Sequence, residues 1–278
     1  MQTAPITIVK RLASSTCDGR YEPKSGESQG FVKHMKDSVQ AARPDKNYEY
    51  IWRMPTQVAL FDVDGTLTTE RVWRGVLDYY KLHGLRRATT LAFWAYHTPL
   101  FMLYKAKLLT QSAFRKPWAA HLMWFLRGDK PAEAAPVWDW VATEYLGKVW
   151  RPQGLAQIKE HKAKGELVVL VSAGPTPLTA RIASQVGADL AVGTEPAMCN
   201  GRYTGGVVGP ICLDEQKAAL TRSALAAQHP DIDWAGSTAY ADGETDLALL
   251  GMVGHPVAFF PDERLKPIAA ARGWKIVE

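Results

Sequence analysis

The chain repeats one pattern that few folds accommodate: short apolar runs, each near a turn signal, separated by stretches of helical periodicity. The runs are residues 57–61, 166–171, 188–192, 237–241 and 256–260. The helical stretches are residues 155–164, 177–186, 215–227, 244–250 and 263–271. Apolar runs this short, alternating with helices, indicate buried parallel strands joined by crossover helices. The expected fold class is α/β, a doubly wound parallel sheet. Residues 195–208 read as a hairpin, with Asn200-Gly201 as its two-residue turn.

One interval breaks the alternation. Residues 71–150 show helical periodicity, no convincing strand, and seven of the ten tryptophans. A segment that long is not a loop inside a compact domain. The expected organisation is a core of residues 55–70 and 151–278, interrupted by a helical cap of residues 71–150. Residues 1–54 read as an N-terminal extension, partly disordered, because ASSTCDGRYEPKSGESQG is polar and aperiodic. A short helix over residues 31–42 is expected there.

The chemistry concentrates where the first run ends, in Phe61-Asp62-Val63-Asp64-Gly65-Thr66-Leu67-Thr68. Residues i and i+2 of a strand share a side, so Asp62 and Asp64 face one point past the strand's carboxyl end, where open α/β sheets bind ligands. Two carboxylates so close repel unless a cation lies between them or one is protonated. A magnesium ion suits such oxygens. A carboxylate can attack phosphorus, and a neighbouring carboxylic acid can protonate a leaving oxygen. Gly65 lets the chain turn away. A calcium loop would continue with further oxygen ligands and a late Glu, and this sequence does not.

Three later sites are weaker taken singly. Ser172 offers a hydroxyl and Ala173 and Gly174 offer backbone N–H groups, suited to a phosphate or simply to a cap. Lys217 opens a helix as a point charge for a phosphoryl oxygen or as a solvated lysine. Asp242, followed by Gly243, closes another strand, and Asp246 lies one helical turn on; they complete a metal site or favour a helix dipole.

Taken in order, FDVDGTLT, Ser172 in VVLVSAG, Lys217, and Asp242-Gly243-Glu244-Thr245-Asp246 resemble the four motifs of the haloacid dehalogenase superfamily. The resemblance runs from about residue 57 to the C-terminus. It implies a Rossmann-like core and a magnesium-dependent phosphomonoesterase working through an aspartyl-phosphate. By that resemblance Asp62 is the nucleophile and a metal ligand. Asp64 is the acid and base and ligates through its carbonyl, and Asp242 is the third ligand. Ser172, Ala173 and Lys217 hold the phosphoryl group, and Gly65, Thr66, Gly174, Gly243 and Asp246 support them. Asp64 favours phosphoryl transfer, since the superfamily's dehalogenases lack it. The cap position, GRYTGGVVGPICLDEQKAAL and GHPVAFFPDERLKPIAAARGW resemble the phosphoserine-phosphatase-like subfamily. Those phosphatases read substrate with a cap glutamate and a cap arginine. Here Glu70 falls one residue short of that spacing, and Arg71, Arg74 and Arg115 are the candidate arginines.

The partner expected is a small phosphomonoester. A formal net charge of +5 fits an anionic substrate, but no basic-aromatic pattern points to nucleic acid. The three cysteines form neither a disulfide framework nor a zinc site. The start lacks an apolar leader, and a cytoplasmic location is expected. The apolar run LAFWAYHTPLFMLY is too short to span a bilayer. It is expected to be a cap helix buried against its neighbours. Arg86, Arg87, Lys105 and Lys107 at its ends leave weak contact with a membrane surface as the alternative. A phosphotransferase, a lipid phosphatase and a silent phosphate-binding protein are the other readings of the same residues.

Overall fold

The computed structural model describes residues 56–278, Ala227 excepted. The expectations for residues 1–54, including a helix at 31–42, lie outside the described residues. The described chain forms a seven-stranded sheet from β1 (Val58–Asp62), β2 (Leu167–Pro175), β3 (Leu190–Cys199), β4 (Arg202–Val208), β5 (Thr238–Ala241), β6 (His255–Phe259) and β7 (Lys275–Val277). The spatial order is β4-β3-β2-β1-β5-β6-β7. Every pairing is parallel except β3 with β4. That hairpin turns on Asn200 and Gly201, both at positive φ, as a two-residue turn between twisted strands requires.

All five residues of β1 are buried, as expected of a parallel strand covered on both faces. The strand's period of two divides them. Ala59 and Phe61 join one hydrophobic cluster with Val168 and Leu170; Val58 and Leu60 join a second with Val169 and Val171. Helices at Pro152–Ala163 and Thr176–Val186 feed Ile158, Leu178 and Ile182 into the first cluster. Helices at Glu215–Ala226, Leu247–Leu250 and Leu265–Ala271 feed Leu225, Leu249 and Leu265 into the second.

Between β1 and β2 the described chain forms helices and no strand. They are α1 (Val72–Leu82), α2 (Arg87–Lys105), α3 (Gln111–His121) and α4 (Pro131–Trp140), followed by a π-helical turn (Val141–Tyr145) and a 3-10 turn (Leu146–Lys148). Thr110 caps α3, accepting the Ala113 N–H at 3.1 Å. Trp118 is the hub of an aromatic cluster, with ring centroids 4.7 Å from Trp73 and 5.0 Å from Phe93. The outgoing and returning chains run side by side at the neck. Thr69 N–H donates to Val149 O at 2.9 Å, and Arg151 N–H donates to Leu67 O at 2.8 Å.

Three sequence expectations change. The strand β7 is added, three residues long and too short to show a pattern. The helix expected over 244–250 is one 3-10 turn, Glu244–Asp246, before the α-helical Leu247–Leu250. The third change concerns α2. Of its 19 residues only Phe93 and His97 are buried, so the apolar run is not packed into the body on most of its circumference. Among the described residues no helix is long and apolar enough to cross a membrane.

Candidate active site

The chain runs from β1 to β2 on one side and later to β5 on the other, which makes β1 the point where strand order reverses. Crevices for ligands open there, outside the strands' carboxyl ends. Asp62 ends β1, Ser172 lies in β2, and Asp242 follows β5. Three adjacent strands therefore deliver the sequence motifs to one place.

Asp62 is 3% exposed. Its Oδ1 accepts from Lys217 Nζ at 2.5 Å and its Oδ2 from Thr66 Oγ1 at 3.1 Å. Thr66 Oγ1 also lies 3.2 Å from Asp242 Oδ1, so one hydroxyl links two carboxylates. Lys217 donates as well to Asp246. Burial pushes the Lys217 ammonium toward neutrality, but the Asp246 and Asp62 carboxylates outweigh it and raise its pKa. Asp64 turns toward the start of α1, where its Oδ1 accepts Val72 N–H at 2.5 Å. Burial raises the Asp64 pKa, against the nearby Arg71 guanidinium. Arg71 donates to the Asp64 carbonyl and lies 3.5 Å from Asp242 Oδ2.

Gly65 has to be glycine here. Its φ is +98°, and a Cβ would stand 2.1 Å from Asp242 Oδ2. Gly174 N–H donates to Ser172 Oγ at 3.0 Å. The Ser172 side chain is thus committed within its own strand, and Ala173 and Gly174 face the cavity described below. Gly243 precedes the turn that carries Thr245 and Asp246.

Carboxylate oxygens of Asp62, Asp242 and Asp246 come within 4.8 Å of one another. Three hard oxygen donors fit a magnesium ion. Burial, then the Asp62 charge, pushes Asp242 up to about 8. Burial pushes Asp246 up to about 6, with Lys217 opposing. Such carboxylates are poorly stabilised as anions by this protein alone, and a dication offsets that cost. The sequence pointed to Asp62, Asp242 and the Asp64 carbonyl as ligands. The grouped carboxylates are Asp62, Asp242 and Asp246, while Asp64 turns its side chain to α1 and its carbonyl accepts from Arg71.

These groups floor a cavity of about 460 Å³ that rises into the helical segment. Its floor holds Asp62, Asp64, Lys217, Asp242 and Asp246, and its walls are Trp73, Trp94, Phe101, Phe114 and Trp118. Arg71, Arg74 and Arg115 line it too, and Arg115 Nη1 reaches Thr245 Oγ1 at 3.1 Å. Glu70 instead pairs with Arg74 at 2.6 Å on an exposed surface. The sequence showed a segment rich in aromatic residues, compatible with a larger or more apolar phosphomonoester, but not which rings face inward.

The haloacid dehalogenase-like hydrolase family profile matches residues 59–251. A phosphoserine phosphatase of Mycobacterium tuberculosis is 31% identical over 228 residues, covering 80% of this chain and 70% of the relative. A histidinol-phosphatase of Neisseria meningitidis is 27% identical, covering 79% and 97%. Among solved structures, a protein of unknown function from Bordetella pertussis is 28% identical with a TM-score of 0.69, covering 80% of this chain and 99% of that one.

Proposed function

Because the chain belongs to the haloacid dehalogenase-like hydrolases, we propose that it is a magnesium-dependent phosphatase that cleaves a small phosphomonoester through an aspartyl-phosphate on Asp62. The observation that carries this reading is the buried cluster of Asp62, Lys217, Asp242 and Asp246 at the strand switch point, with Asp64 beside it. In this reading residues 55–70 and 151–278 are the catalytic core and residues 71–150 are the cap.

Asp62 attacks phosphorus, and the bond to the leaving alkoxide breaks. Asp64 gives that oxygen its proton, consistent with burial that favours its protonated form. Water then attacks the aspartyl-phosphate, giving its proton to Asp64 and returning Asp62 with inorganic phosphate. Lys217 neutralises charge on the phosphoryl oxygens and on Asp62. Ala173 and Gly174 line the phosphoryl position, with Ser172 holding the Gly174 amide. Thr66, Gly65 and Gly243 keep the carboxylates close. Asp62, Asp242 and the Asp64 carbonyl would hold magnesium, with Asp246 alongside. That ion supplies charge neutralisation in a buried acidic site.

The only carboxylates among the described cavity residues are Asp62, Asp64, Asp242 and Asp246. None is left over to receive a substrate ammonium, and three arginines and five aromatic rings line the cavity beside them. This supports a leaving group with apolar or planar surface over phosphoserine. The test is phosphate release from a panel of phosphomonoesters, with and without magnesium, and with Asp62→Asn as control. Release that needs magnesium and vanishes in folded Asp62→Asn supports the mechanism; equal release by that variant overturns it.

A further inference from the structure

The helix α2 presents an apolar surface that the rest of the described chain does not cover. A helix apolar around most of its circumference is ordinarily buried, in a core or in a membrane. Here Leu91 is 73% exposed and Met102 63%. They share the outward arc with Trp94 and Phe101, and Tyr96 and Leu103 extend it. Every exposed large hydrophobic residue of the described chain except Val208 lies between Leu82 and Leu108. A contiguous patch of that kind marks an interaction surface.

Charge says what kind. From Tyr79 to Gly128 there are eight Lys and Arg residues and no Asp or Glu. The whole chain carries 33 Lys and Arg against 28 Asp and Glu, so the remainder is net negative and the basic excess belongs to this segment. Lys81, Arg87, Lys105 and Lys107 are exposed, Arg87 and Lys105 at the two ends of α2, Lys107 just past it and Lys81 in the last turn of the preceding helix. An apolar strip rimmed by cations is the complement of an anionic lipid surface: acyl chains accept the strip and headgroups accept the rim. The acids nearby in space are paired with other cations, Asp129 with Arg86 and Asp214 with Lys116. An apolar protein partner would not require the basic rim.

We propose that α2 seats the protein on an anionic membrane surface, with Leu91 and Met102 entering the interface and Lys81, Arg87, Lys105 and Lys107 meeting the headgroups. Trp94 and Phe101 belong both to this face and to the wall of the catalytic cavity. The docked helix therefore sets the cavity beside the lipid, and amphiphilic phosphomonoesters reach Asp62 from the interface.

The test is flotation of the full chain with vesicles of phosphatidylcholine, with or without phosphatidylglycerol, at ~0.1 M and ~0.5 M salt. The chain is expected to float with the anionic vesicles at low salt and to be released at high salt. Lys105→Glu/Lys107→Glu is expected to weaken partitioning at least ~10-fold. Leu91→Glu/Met102→Glu is expected to abolish it while hydrolysis of a soluble phosphomonoester is kept. Asp62→Asn is expected to float like the unsubstituted chain, which separates docking from catalysis. A chain that stays soluble with every vesicle overturns the proposal. So does partitioning that ignores both double variants. Self-association that Leu91→Glu/Met102→Glu dissolves, without flotation, assigns the face to a second copy and also overturns it.

Discussion

Lys217 Nζ stands 2.5 Å from Asp62 Oδ1, and both side chains are at most 5% exposed. A lysine buried this way supplies the counter-charge beside the carboxylate proposed as the nucleophile. Lys217→Met leaves Asp62 and Asp246 buried without their cation. Such losses cost ~3–5 kcal/mol, to be read from urea denaturation. Lys217→Met with Asp246→Asn is expected to be more stable than Lys217→Met alone, because one stranded charge is gone. Both variants are expected to lose turnover.

Asp64 and Asp62 are separable by leaving group. Asp62→Asn is expected to abolish phosphate release from every ester. Asp64→Asn is expected to slow alkyl phosphates ~10²–10⁴-fold and a nitrophenyl phosphate far less, because nitrophenolate leaves without a proton. Equal slowing of both esters removes Asp64 from the acid role.

Magnesium is expected to raise the melting temperature, since the site proposed for it is a buried acidic cluster that exists only in the folded chain. At a concentration of 100 times its Kd the gain is about 2.7 kcal/mol. Asp242→Asn is expected to erase the shift in a calorimetric titration, whether or not it alters the protein's stability without metal.

The protein is expected to be acid-sensitive through His97. Burial, with His121 adding to it, holds His97 at about 4, against an ordinary 6.5. Its Nε2 lies 3.2 Å from His121 Nδ1 and its Nδ1 has no hydrogen-bond partner. Above pH 6.5 the ring is neutral folded or unfolded, and its full contribution is present. As pH falls toward 4 the unfolded chain takes up a proton that the folded chain refuses. Stability then drops by roughly 1.4 kcal/mol per pH unit. His97→Phe is expected to flatten that slope in denaturation series across this window.

Gly65→Ala tests how tightly the first motif is built. The new Cβ would stand 2.1 Å from Asp242 Oδ2 at a φ of +98°. A strained backbone of this kind costs ~1–3 kcal/mol, and displacement of Asp242 is expected to remove magnesium-dependent turnover.

Much of this was legible because the catalytic groups sit at strand ends. Asp62 and Asp242 each follow an apolar run, and a run's end is visible in sequence. The Asn200-Gly201 turn was visible for the same local reason. What was hidden depends on direction. Glu70 and Arg71 are adjacent, yet Arg71 lines the cavity and Glu70 does not, pairing instead with Arg74. Ser172 lies inside β2, which continues to Pro175, and its hydroxyl accepts from Gly174 N–H, a choice made by rotamer and not by residue type. The exposure of α2 was hidden because an apolar sequence fixes no preferred face. The residues at 71–150 announced helices, not which of them would meet the core.

The paired backbones at the neck have an architectural consequence. Thr69 and Arg151 bond across it to Val149 and Leu67, at 2.9 and 2.8 Å. Eighty-odd residues thus begin and finish almost where a tight turn would. No strand of the sheet comes from what is inserted there, so the length of the insert can change without shifting strand register, provided Arg71 and Val72 at its start stay to hold Asp64. Strand register and insert length are separate matters, joined at one seam.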